Sequence, residues 1–204
     1  MAAPNSVRIA TGDPPALHMR AMDNLEFIRD TMERASAFTA VSGLGMGAVG
    51  VVALFAAWTA HLVGSPTRAV VVWVLAAAIG GVVSVAAIAV KARSAGLPLL
   101  SGPGRKLLLA FLPAMLAGAA LTVVLTVQGQ TGILPGTWLL LYGAAVIAGG
   151  AFSVRIIPVM GVCFMILGFS ALIAPVAAGT LFMALGFGGL HLIFGVLIAR
   201  SHGG

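Results

Sequence analysis

"AVVVWVLAAAIGGVVSVAAIAVKARSAGLPLLSGPGRK", residues 69–106, decides the fold. It opens with an uncharged apolar run through Val90 and stops at Lys91 and Arg93. A stretch rich in proline and glycine follows, and Arg105 and Lys106 begin the next apolar run. A hydrocarbon core about 30 Å thick needs about 20 apolar helical residues. The run is therefore a membrane span, and its cations mark where lipid ends.

The same alternation extends in both directions. Six apolar runs are predicted at 37–63, 69–91, 106–128, 134–153, 156–174 and 176–199. "GSPTR", "SAGLPLLSGPGRK", "QGQTGILPG", "SVR" and "AP" break them in turn. Residues 200–204 are left as a tail. Composition agrees: 60% of the chain is hydrophobic and 8% charged, against about 25% charged in a soluble domain. The expected fold is an all-α polytopic bundle of six transmembrane helices, preceded by a cytoplasmic amphipathic helix.

The basic residues give an independent check. Arg8, Arg20, Arg29, Arg34, Lys91, Arg93, Arg105, Lys106, Arg155 and Arg200 fall on one side of a six-span chain, and Arg68 alone on the other. Lys and Arg accumulate in cytoplasmic loops, so both termini are expected in the cytoplasm. Trp58, Trp73 and Trp138 fall in the outer parts of their spans, where an interfacial aromatic belt is expected. Pro113, inside the third span, removes a helical hydrogen bond and is expected to kink it.

Several chemistries lose their usual parts. All five acids (Asp13, Asp23, Glu26, Asp30 and Glu33) lie in the first 33 residues, which removes intramembrane carboxylate relays and acid-rich metal sites. The single cysteine, Cys163, allows neither an internal disulfide nor a multi-cysteine zinc or iron–sulfur centre. The net charge of +6 is scattered over helix ends, without the clustered face that nucleic acid requires. No metal ligand set and no catalytic residue is assigned. Residues 1–13 have no apolar core of a signal peptide and are expected to be disordered.

Residues 14–36 are the one amphipathic stretch. Asp13 is positioned as its N-cap. Leu17, Ala21, Leu25, Ile28, Met32 and Ala35 recur at helical spacing. The opposite face mixes three arginines with four acids over 20–34, a balance that suits protein better than anionic lipid. Leu25, Ile28 and Met32 are the expected partner-binding positions. The partner stays open among the chain's own bundle, a second copy that would make a homo-oligomer, and another subunit of a membrane complex held through 14–38, with plain attachment to the lipid interface as the alternative.

Within the bundle, Gly43, Gly47 and Gly50 share a face of the first span, and Gly188 and Gly195 share one of the sixth. Small residues let backbones approach in lipid, where no hydrophobic force drives helices together. His191 lies on that small-residue face. At about 1.5 Å per residue it shares a depth with Cys163 and Ser84. These three are the candidate ligand or relay residues; a structural hydrogen bond from a neutral His191 is the alternative.

"LPGTWLLLYGAAVIAGGAFSVRIIPVMG" (134–161), "GGLHLIFGVLIARSHGG" (188–204) and "LEFIRDTMERASAFTAVSG" (25–43) resemble small bacterial integral membrane proteins of a family without an assigned function. The resemblance implies a bacterial inner membrane and brings no activity. Three function classes remain. The chain is expected to be a non-enzymatic accessory, sensory or ligand- or partner-binding subunit. The first alternative is a small transporter or channel. The second is a redox or cofactor-binding protein in which His191 serves; no cofactor is expected in the favoured reading, and haem is the one left open.

Overall fold

A computed structural model describes residues 14–35, 38–96 and 102–202. Their regular elements are all helices, with no strand among the described residues. The chain divides into two compact units, residues 1–36 and 37–204.

The first unit holds helix α1, Pro14–Ala35. Asp13, residues 1–13 and the side chains of Leu17, Arg29, Asp30, Glu33, Arg34 and Ala35 lie outside the described residues. Leu25, Ile28 and Met32 are exposed, and so are Met19, Met22 and Phe27. Phe27 lies off the predicted stripe, so apolar surface reaches round the helix beyond one face.

The second unit has six helices long and apolar enough to cross a membrane. They are α2 (Gly43–Leu62), α3 (Pro66–Ser94), α4 (Gly102–Val127, with Pro113 inside), α5 (Leu134–Gly150), α6 (Ile156–Ile173) and a composite sixth span, Val176–Ser201. The composite span contains α7 (Gly179–Met183), a π-helical stretch (Ala184–Leu190) and α8 (His191–His202). The chain is thus an all-α, multi-pass membrane protein.

The first span starts six residues later than its apolar run. Ser42 takes extended geometry and accepts a hydrogen bond from the Gly45 N–H at 3.1 Å, capping α2. Residues before it are drawn sideways instead. The Phe38 N–H donates to the Phe152 carbonyl at 2.7 Å, and the Ser153 hydroxyl to the Phe38 carbonyl at 2.7 Å. Lys91 Nζ donates to the Val41 carbonyl at 2.9 Å. Phe38, Ala40 and Ala92 are buried together, with Ile88 and Leu107 against them. This latch joins the start of α2, the end of α3, the start of α4 and the α5–α6 turn. At the opposite end Gly64, with φ 60, turns α2 into α3 in a conformation that a side chain disfavours.

Two glycine seams hold the spans together. Along α5 and α6 a methyl group on Gly143 would stand 2.7 Å from the Gly161 carbonyl oxygen, and one on Gly136 would stand 2.9 Å from that of Gly168. Glycines recur every seven residues on α5 (136, 143, 150) and meet their antiparallel counterparts on α6 (161, 168). The second seam joins α2 to the sixth span. A methyl group on Gly43 would lie 2.5 Å from the Gly195 oxygen, and one on Gly50 2.9 Å from the Gly188 oxygen. A methyl group on Gly188 would strike Leu54. Gly47 behaves differently from its predicted role. A methyl group there meets nothing within 4 Å; it serves by its backbone, whose nitrogen lies 2.9 Å from where a Gly195 methyl group would be.

The flanking helices are held more lightly. α3 packs on α2, and α4 on α5. The Trp138 indole N–H donates to Thr122 Oγ1 at 2.7 Å, tying α5 to α4, and the Thr122 hydroxyl donates to the Gly118 carbonyl at 2.7 Å. Leucine and valine cover the outer surfaces of both flanks, among them Val71, Leu75, Val82, Leu109, Leu116 and Val123, as a lipid-facing surface should be.

The seams predict a sharp contrast between two glycine-to-alanine substitutions. Gly143→Ala places a methyl group against backbone and should cost about 1–3 kcal/mol. Gly47→Ala enters open space and should be neutral or slightly stabilising. Thermal unfolding in a mild detergent measures both; equal losses would show that the α5–α6 contact is not tight.

Candidate functional site

His191 begins α8 and is 3% exposed. Its Nε2 lies 2.8 Å from the hydroxyl of Tyr142, the single tyrosine of the chain, in the middle of α5. Four helical elements place the groups around this pair. Phe164 of α6 meets the imidazole edge-on at a centroid distance of 5.4 Å. Phe187, in the π-helical stretch, stacks on it at 6.1 Å with 18° between planes. Tyr142 packs on Phe164 at 4.8 Å, Phe187 at 5.0 Å and Phe111 of α4 at 6.0 Å. Trp73 of α3 closes the outer side against Phe187 at 6.4 Å.

The local backbone explains why a histidine fits here. Gly186, Gly188 and Gly189 crowd the turn before it, and the helix widens there into i→i+5 bonding. The His191 N–H then reaches the Gly188 carbonyl. The carbonyls of Gly186 and Phe187 approach the imidazole ring, yet Nδ1 completes no hydrogen bond. A neutral imidazole carries one donor and one acceptor nitrogen. If Tyr142 donates to Nε2, the proton sits on Nδ1 and faces those carbonyls. If Nε2 donates, Nδ1 is a bare acceptor facing acceptors. The first arrangement is electrostatically the better one, so Tyr142 is the donor.

The other candidates stand differently. Cys163 precedes Phe164 on α6; it is a free thiol and only partly buried. Ser84 lies on α3, on the far side of α2. Gly45 and Val49 of α2 meet Ala87 and Gly80 of α3, whereas Gly43 and Gly50 meet the sixth span. Ser84 is therefore at the depth of His191 but separated from it by a helix. The hydrogen bond of His191 goes to Tyr142 and to neither of these. His61 is exposed at the end of α2. Among the described residues no three His, Cys, Asp or Glu side chains group as a metal site.

Tyr142 is not among the candidates that the sequence alone suggests, although a signal exists. A phenol in the middle of an apolar span needs a partner for its hydroxyl, and His191 is the one deep ionisable ring. Trp73 corrects the expectation of an interfacial ring, because it is 7% exposed and faces the core. Trp138 is partly buried with its N–H engaged. Trp58 alone of the three is exposed, at 59%.

Comparison of the chain with protein-family profiles, with curated proteins and with solved structures returns no match.

The pair predicts a double-mutant cycle. Tyr142→Phe leaves a buried Nε2 without its partner and should cost about 1–3 kcal/mol. His191→Leu should cost a similar amount by stranding the phenol. The double variant should cost less than the sum, since both polar ends are gone. Thermal unfolding of the four proteins gives the coupling; strict additivity would show that the hydrogen bond contributes nothing.

Proposed function

We propose that the chain is a non-enzymatic accessory subunit of a bacterial inner membrane, with both termini cytoplasmic, that binds a protein partner through residues 14–38. One observation carries the reading. Helix α1 forms a compact unit of its own and exposes Met19, Met22, Leu25, Phe27, Ile28 and Met32. Exposed apolar surface of that extent is characteristic of an interaction site. Its charged residues also have mixed signs over 20–34, which suits a protein surface rather than an anionic bilayer. The partner is either a second copy or another membrane subunit. The bacterial setting rests on the sequence resemblance, and the orientation on the distribution of Lys and Arg.

A second reading is favoured by one specific feature, the enclosed Nδ1 of His191 without a hydrogen bond. An unsatisfied buried N–H is a place where an acceptor atom of a solute gains a partner. In that reading the bundle is a small transporter whose path runs past the Tyr142–His191 pair. A haem protein would need Nε2 of His191, which Tyr142 holds. A purified protein without a Soret band disposes of it.

The test compares the full chain with a variant carrying Leu25→Glu, Ile28→Glu and Met32→Glu. Native mass in a mild detergent should exceed one protomer for the wild type and fall to one protomer for the variant, with an unchanged melting temperature. A wild type that is already protomeric, or a variant that keeps its added mass, overturns the partner reading. Solute flux in liposomes that His191→Ala abolishes would put the transporter in its place.

A further inference from the structure

One end of the bundle concentrates positive charge, and the bundle has no acidic side chain to balance it. Arg93 at the end of α3, Arg105 and Lys106 at the start of α4, Arg155 at the α5–α6 turn and Arg200 near the end of α8 are all exposed. The latch shows that these helix ends converge. Ala92, next to Arg93, is buried with Phe38, and Leu107, next to Lys106, packs against them. Phe38 is hydrogen-bonded to Phe152 and Ser153, two residues before Arg155. A methyl group on Gly43 would meet Ala199, beside Arg200. At the opposite end the spans carry Arg68 alone.

From residue 34 to residue 204 there is no Asp or Glu. The chain's remaining acids lie in residues 13–33, and over 20–34 four acids stand against three arginines. A segment with a net charge of −1 does not neutralise five exposed cations. The counter-charge must come from outside the chain. Immediately along the same helices lie exposed Val90, Leu108, Leu109 and Leu112. A molecule with an anionic head and apolar tails matches both surfaces at once, because long basic side chains reach the headgroup layer while their stems stay on lipid.

We propose that this end of the bundle binds the phosphate headgroups of anionic phospholipid in preference to zwitterionic lipid. The proposal stands apart from the partner reading, since it uses no residue of α1. Each basic residue near an anionic membrane surface contributes about 1 kcal/mol, which is about fivefold in a binding ratio.

The experiment reconstitutes the full chain into nanodiscs holding equal phosphatidylglycerol and phosphatidylcholine. The protein is then extracted in mild detergent and the retained lipids are counted by mass spectrometry. The wild type should retain phosphatidylglycerol in clear excess. Arg105→Gln, Lys106→Gln and Arg155→Gln should each lower the ratio of the two lipids about fivefold, whereas Arg68→Gln should leave it unchanged. Melting temperatures in pure phosphatidylcholine confirm that the variants fold. Equal retention of both lipids by the wild type overturns the proposal. So does an Arg68→Gln loss as large as that of Arg105→Gln. Displacement of the retained lipid by inorganic phosphate would identify a free-anion site and overturn the lipid assignment.

Discussion

Close backbone contact through glycine is the constraint on which this bundle depends. Lipid tails are as apolar as leucine, so helices in a bilayer gain nothing by hiding leucine from them. What remains is dispersion between surfaces that touch, and touching requires small residues. Gly136, Gly143, Gly161 and Gly168 bring α5 and α6 so near that an added methyl group would meet a carbonyl oxygen. Gly43, Gly50, Gly188 and Gly195 do the same for α2 and the sixth span. The large side chains are then arranged around two fixed pairs.

The seams also determine where polarity is allowed. With α5 held against α6 and the sixth span held against α2, the rings of Tyr142, Phe164 and Phe187 close around His191. The widened turn at Ala184–Leu190 is part of the same arrangement. It lies directly before a ring that has one nitrogen left to satisfy. π-helical turns frequently accompany functional sites, and here the turn immediately precedes the buried His191. At the membrane surface, the latch formed by Phe38, Lys91 and Ser153 performs the complementary task. It gathers helix ends whose flanking spans, α3 and α4, pack on different neighbours.

Much of this architecture is legible in the residues themselves. Run length and charge placement predict six spans, and the small-residue faces of spans one and six do meet. Gly47 shows the limit of that reasoning. It shares the predicted face, yet its missing side chain points at open space, because periodicity names a face but not the rotation of a helix within it. Trp73 shows the same limit from the other side. Its position near a span end suggests a headgroup ring, and the rotation of α3 turns it to the core.

The sequence by itself determined the class of object, the number of crossings, the side on which cations gather and the absence of acids from the spans. These are one-dimensional properties, read against a bilayer of nearly fixed thickness. The tertiary structure decided that His191 meets Tyr142 rather than Cys163 or Ser84. It also decided that α2 stands between His191 and Ser84, and that the start of the first apolar run is pulled out of helix into a latch. Those outcomes depend on helix rotation, register and neighbour order. They follow from which glycines touch across a seam, and no window of a single helix contains that information.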